Sequence, residues 1–243
     1  MNTMNEAGIC IVVHNNYFTT RYALENLIEK TKIKHRLYIV DNSSEEKHLS
    51  DYCKQLCAKT GGYYKLLTDK HTYSQALNKM LSIVSQKYVV VFPINAIVQQ
   101  NWLEDLIYYQ NIIPTVGVNS IRSTFDTLHW MPLIHKCESM PEDELKNILI
   151  TENNSIEGIM CFEKDRCYQI GLFDEKLQNA GFEQAEFCFR MASLGLNNIY
   201  IRKQTYVKAH LSDEMLFPKK TKEGMDEFKT NVDWMIKNQM FKK

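Results

Sequence analysis

ICIVVHNNYFTTRYALENLIEKTKIKHRLYIVDNSS, residues 9–44, is the stretch that decides the fold. The run over residues 9–13 has the apolar, β-branched character of a strand buried on both faces. Residues 19–30 carry the spacing of an amphipathic helix, and residues 36–40 repeat the buried-strand pattern before Asp41-Asn42-Ser43-Ser44 turns the chain. Strand, helix and strand in that order make a parallel crossover unit. Its right-handed connection sets both strand ends on one edge of a sheet.

Working outward, the pattern continues. A helix carries apolar Leu49, Tyr52, Cys53 and Leu56, a strand covers 63–67, a helix covers 73–84, and a buried strand at 88–92 stops at Pro93. Four strands joined by crossovers predict an α/β fold with a Rossmann-like, mostly parallel central sheet flanked by helices. Ligands of open α/β sheets bind beyond the carboxyl ends of the strands, here at His14-Asn15-Asn16, Asp41-Asn42-Ser43 and Pro93-Ile94-Asn95. A helix at 102–110 and a strand at 116–119 precede an irregular region that lasts to about residue 154. It holds His129, Trp130, His135 and the acidic Pro141-Glu142-Asp143-Glu144, which either form an acceptor wall or a surface excursion. Strands at 156–162 and 198–201 and a last helix at 222–240 complete the prediction.

Composition narrows the function. A chain of 243 residues, 44% hydrophobic, suits one large domain, taken as 1–220, followed by an amphipathic helix at 221–243. That helix spaces Met225, Phe228, Val232, Met235, Ile236 and Met240 on one side and is expected to pack on the domain or at a homo-oligomer interface. Its Glu223, Asp226, Glu227 and Asp233 weaken the competing membrane-surface reading. Lys plus Arg and Asp plus Glu total 29 each, which argues against nucleic acid or an anionic membrane as partner. The sequence shows no transmembrane segment of about 20 apolar residues, and MNTMNEAG lacks signal-peptide character, so a cytoplasmic location is expected. Seven cysteines, with Cys10, Cys161 and Cys188 in apolar segments, read as free thiols. Cys53 and Cys57 lack a matching pair at zinc spacing.

The chemistry gathers in GLFDEKLQNAGFEQAEFCFR, residues 171–190. Glu183 and Glu186 fall in a helical first turn, where unpaired N–H groups favour an ionised carboxylate able to act as a base. The competing reading pairs Glu186 with Arg190 four residues on and leaves Glu183 to complement the helix dipole. Local physics favours that pairing.

The order of motifs resembles the inverting glycosyltransferases of the family 2 type, which share the GT-A fold. The matching elements are His14-Asn15-Asn16, Asp41-Asn42-Ser43, Ala76-Leu77-Asn78, Ile97-Val98 with Trp102-Leu103, Gly171-Leu172-Phe173-Asp174-Glu175, Glu183-Gln184, Cys188-Phe189-Arg190 and His210. The resemblance implies a nucleotide-sugar donor, a UDP-sugar above others, and a glycan or other hydroxyl acceptor. It places donor contacts at His14, Asn15, Asp41, Asn42, Asn78, Ile94 and Asn95, and the base at Glu183 with Glu186 in reserve. It also implies Mg²⁺ or Mn²⁺, but the family's Asp-X-Asp element is Pro93-Ile94-Asn95 here, so Asn95 and His210 would make a much weaker site. The family's Glu-Asp pair is Glu183-Gln184, with an amide in place of the usual base. Arg122, Lys203 and Lys208 become candidates to neutralise the leaving diphosphate. Bland alternatives stay open: an Asx turn for Asp41, a loop contact for Asn78, a structural hydrogen bond for His210 and core packing for Trp102. A non-catalytic binding domain and a scaffold for a partner transferase are the competing functions.

Overall fold

A computed structural model describes residues 7–123, 150–152, 156–177 and 182–208. The elements run β1 (Ala7–Val13), α1 (Tyr17–Lys30), β2 (His35–Asn42), α2 (Lys47–Thr60), β3 (Tyr63–Leu67), α3 (Tyr73–Leu81) and β4 (Tyr88–Val91). Then come β5 (Ala96–Ile97), α4 (Trp102–Ile112), β6 (Val116–Ser123), β7 (Ile150–Glu152), β8 (Met160–Glu163), α5 (Lys164–Ile170), α6 (Glu183–Ser193) and β9 (Asn197–Lys208).

The strand order is β3-β2-β1-β4-β8-β6-β9-β5, with β7 also on β9. β1 to β4 are parallel, and Val13 lies beside Asp41 while Cys10 lies beside Val91. β8 runs antiparallel to both β4 and β6, and β9 runs parallel to β6, so six of the nine strands among the described residues point one way. The predicted α/β class with a mostly parallel sheet is the observed one. The edge that receives the ends of β1 to β4 also receives the end of β6 and the beginning of β8.

Alternation along the strands fills two cores. Ile9, Ile11 and Val13 face Leu24 and Leu27 of α1, Leu49 and Cys53 of α2, and Trp102 and Leu106 of α4. Cys10, Val89, Val91 and Phe162 face Leu77 and Met80 of α3, Cys167 of α5, and Phe187 and Met191 of α6. Helices on both faces explain why these strands read as unbroken apolar runs. Trp102 is fully buried, stacks obliquely on Phe92 at 5.4 Å and donates from Nε1 to Thr31 Oγ1 at 3.0 Å, so it packs the core. The six described cysteines are free and buried. Burial pushes the thiols of Cys167 and Cys188 up to about 12, far from a reactive thiolate. Among the described residues no helix is long and apolar enough to cross a membrane.

Several predicted boundaries move. β2 continues to Asn42, so Asp41 and Asn42 end a strand rather than occupy the turn after it. The helix predicted at 73–84 ends at Leu81, because Ile83 and Val84 both donate to Met80 O in a tight terminal turn. Only Met160–Glu163 of the strand predicted at 156–162 joins the ladder, since side chains of α6 and β9 take the N–H groups of residues 156–158. The strand predicted at 198–201 runs to Lys208, past a register shift opposite Arg122, and ends against β5. Arg122 therefore lies on β6, and Lys203 and Lys208 lie on β9. His129, Trp130, His135, the Pro141 to Glu144 segment, His210 and the helix predicted at 222–240 lie outside the described residues.

Candidate functional site

At the sheet edge the loops after β1 and β2 are locked together. Asn15, Asn16 and Ser43 adopt positive φ of 54°, 64° and 54°, a conformation that asparagine tolerates better than most side chains. Asn15 N donates to Ser44 Oγ at 2.9 Å, and Glu45 N donates to Asn15 Oδ1 at 2.9 Å. Glu46 accepts from Asn16 N at 3.0 Å and Tyr17 N at 2.8 Å, so its carboxylate caps the first turn of α1. The exposed His14 points Nδ1 at Asn42 O, 2.8 Å away. A carbonyl only accepts, so Nδ1 is the donor of this hydrogen bond.

Asp41 and Asn42 both make contacts within the fold at this edge. Asp41 is fully buried and accepts from Ser44 N, Ser50 Oγ and Tyr64 Oη, the first and last at 2.9 and 3.1 Å. Three donors compensate a buried carboxylate, and they make it a tie between β2, α2 and β3. Asn42 donates to His71 O and accepts from His71 N, both at 2.9 Å, which joins the end of β2 to the approach to α3. Beyond β4, Ala96 N closes a turn onto Pro93 O at 3.0 Å. Ile94 packs against the α1, α2 and α4 core, and Asn95 is only 3% exposed.

The residues after β4 offer a hard divalent cation little charge of their own. Pro93-Ile94-Asn95 supplies one neutral amide, no group of three His, Cys, Asp or Glu side chains converges among the described residues, and His210 lies outside them.

Across the edge, α3 meets the turn after α5. Asn78 Nδ2 donates to Phe173 O at 2.8 Å and to Glu175 Oε1 at 2.9 Å, and Oδ1 accepts from Phe173 N at 3.0 Å. The loop contact is thus the role that the structure shows for Asn78. Replacing it with Ala leaves buried backbone groups of Phe173 unpaired, and should destabilise the chain by about 2–4 kcal/mol in urea unfolding. A loss within about 0.5 kcal/mol would mean that the turn relaxes onto water.

The two carboxylates of α6 separate in role. Glu186, 1% exposed, takes a two-pronged contact from Arg190 Nε and Nη2. Burial draws its carboxyl upward and Arg190 opposes that shift. Arg190 also donates to the carbonyls of Ile170, Gly171 and Leu172 at 2.8 to 2.9 Å, so all five guanidinium N–H groups are used. The reserve base is therefore half of a structural ion pair, as the four-residue spacing allows. Glu183, 7% exposed, opens α6 near Tyr73 at the start of α3. Burial first, and then the neighbouring Glu183 charge, pushes the Tyr73 hydroxyl above its usual range. The fold thus brings α3 and the carboxylate end of α6 together at one edge.

Gly158, which sequence reasoning did not single out, is the partner of Gln184, which that reasoning read only as an amide in place of the usual base. Gln184 Oε1 accepts from Gly158 N at 2.9 Å and Nε2 donates to Gly158 O at 3.2 Å. Gly158 has φ of +83°, and a Cβ there would lie 1.9 Å from Tyr206 Oη. An isolated glycine in an apolar strand pattern was the available signal, since it marks close backbone approach.

Solved structures share this architecture. The similarity is 15% identity and TM-score 0.71 to a structure of GalNAc-T7 with UDP, GalNAc and Mn²⁺, over 86% of this chain and 44% of that one. It is 16% and 0.66 to the mannosyltransferase PcManGT from Pyrobaculum calidifontis with GDP-Man and Mn²⁺, over 85% of this chain and 57% of that one. For S. aureus TarS, residues 1–349, it is 13% and 0.64, over 84% and 60%. The chain thus spans about half the length of these structures. At such identities the likeness concerns fold. No curated protein matches the sequence significantly. The family model described as Glycosyl transferase family 2 matches residues 8–177.

Proposed function

We propose, because this chain belongs to glycosyl transferase family 2, that it moves a sugar from a nucleotide-sugar donor to a hydroxyl of a glycan acceptor, with inversion. The observation that carries the reading is Glu183, a buried carboxylate at the start of α6 on the edge where ligands of such sheets bind. An acceptor hydroxyl attacks the anomeric carbon from the face opposite the diphosphate, Glu183 takes its proton, and the nucleoside diphosphate departs with the bonding pair. Arg122, Lys203 and Lys208 are the candidates to neutralise that departing charge, since Pro93-Ile94-Asn95 brings no carboxylate to hold a metal. By family resemblance a UDP-sugar is the first donor to try, with His14, Asn15, Asp41, Asn42, Asn78, Ile94 and Asn95 as its candidate contacts. Buried free thiols fit a reducing, cytoplasmic setting.

A second reading keeps the donor but drops the chemistry. Its support is Gln184, an amide that accepts no proton, at the position where the resemblance expects the base. In that reading the domain binds a nucleotide sugar or glycan, or supports a partner transferase through residues 222–240.

Calorimetry with UDP, GDP and dTDP, each with Mn²⁺ or with EDTA, tests both. We expect one nucleotide to bind, with an affinity that changes less than about threefold between the two conditions, as weak hard-cation coordination requires. Turnover of the matching sugar donor should survive EDTA. Absence of binding to all three, together with no turnover of a donor panel, would remove the transferase reading. Binding without turnover would favour the second.

A further inference from the structure

The segment just before β8 is held by side chains instead of by a neighbouring strand. Ile156 N donates to Cys188 Sγ at 3.3 Å, Glu157 N to Tyr200 Oη at 3.1 Å and Gly158 N to Gln184 Oε1 at 2.9 Å. Three successive backbone donors therefore end on α6 and β9. Gln184 returns the contact, because its Nε2 reaches Gly158 O at 3.2 Å, and Cys188 Sγ returns a longer one to Ile156 O at 3.9 Å. A Cβ on Gly158 would lie 1.9 Å from Tyr206 Oη, so the segment passes Tyr206 at a distance that suits only glycine. Gln184 is the second residue of α6 and follows Glu183 directly. The amide thus moors the first turn of the helix to the β8 side of the sheet edge.

We infer that Gln184 is a positioning residue that holds Glu183 in place as the base, and is not a disabled base. The inference rests on the reading of Glu183 given above. An aspartate could not do this work, being one methylene shorter and, when ionised, without an N–H to give Gly158 O. The amide side chain exchanges proton-accepting capacity for a two-way bond to the backbone. Glutamate keeps the length and the acceptor but supplies the missing donor only when protonated.

Gln184→Ala, Gln184→Asp and Gln184→Glu test it, with kcat, KM and melting temperature measured for each on the donor that the wild-type chain turns over. For Gln184→Ala we expect kcat to fall roughly 10- to 100-fold, the scale of a misplaced catalytic group, with KM little changed. Gln184→Asp should stay below wild type. For Gln184→Glu the melting-temperature gap to wild type should narrow as the pH falls. The introduced carboxyl has its pKa raised in the folded state by facing Gly158 O, so its stability is greatest when protonated and is lost as pH rises through that value. A purely structural amide would lower the melting temperature and leave kcat unchanged in the folded variant, and that result would overturn the inference. So would Gln184→Asp exceeding wild type, which would instead restore a lost base. A wild-type chain that binds nucleotide without turnover removes the base and this inference with it, and leaves the binding reading standing. No binding at all removes every reading of the site.

Discussion

Glu183→Gln lowers kcat about 100- to 10,000-fold, the usual contribution of a general base, and leaves nucleotide affinity within about twofold. The substitution keeps the volume and the hydrogen-bonding reach but removes the ability to take the acceptor's proton. Initial rates over a donor titration separate kcat from KM, and calorimetry reports nucleotide affinity independently. The companion Glu186→Gln divides the two carboxylates. Its effect should be on stability, about 3–5 kcal/mol in denaturant unfolding, because Arg190 would keep a charge without its partner. If Glu186→Gln lost turnover at undiminished stability while Glu183→Gln kept it, the two assignments would have to be exchanged.

Gly158→Ala should destabilise the protein by about 2–5 kcal/mol, from two separable sources. One is the backbone, since φ of +83° strains any residue with a Cβ. The other is contact, since that Cβ would sit 1.9 Å from Tyr206 Oη and 3.0 Å from Tyr206 Cζ. Tyr206→Phe removes the oxygen but not the ring carbon, so the double variant should recover only the hydroxyl's share of the contact part. Urea unfolding of the two single variants and the pair gives this as a coupling energy. Strictly additive losses would show that the hydroxyl does not confine Gly158, and a Gly158→Ala loss under about 0.5 kcal/mol would remove the clash altogether.

The parallel half of the sheet was readable because β1, β2 and β4 are covered on both faces, and burial on both faces writes an unbroken apolar run. The remaining strands are written more faintly. β5 and β7 are two and three residues long, and both find their partner in β9, far along the chain. Segments that short carry no period of their own, so their pairing exists only in the assembled sheet. The boundary error before β8 has the same origin. Residues 156–159 have strand composition, but the donors that a strand would offer its neighbour go to Cys188, Tyr200 and Gln184.

The candidate site divides along the same line. The four-residue spacing of Glu186 and Arg190 announced their ion pair, because helical geometry brings such residues together whatever the rest of the chain does. Asp41 was visible as a polar residue at a strand end. Its fate depended on Tyr64 and Ser50, which reach it from β3 and α2.

Read alone, the chain determined the crossover units, the edge that gathers His14, Asp41 and Asn95, and a carboxylate at the first turn of α6. Those features follow from burial and helical periodicity, which act over a few residues at a time. Only the tertiary structure decided which polar groups the fold consumes and which it leaves at the edge. Asp41, Asn42, Asn78 and Glu186 are consumed by partners within the fold. Gln184 meets Gly158 across 26 residues of sequence, and that contact exists because α6, β9 and the approach to β8 pack together. Hydrogen bonds between distant residues follow from packing geometry, and no local pattern in the sequence records it.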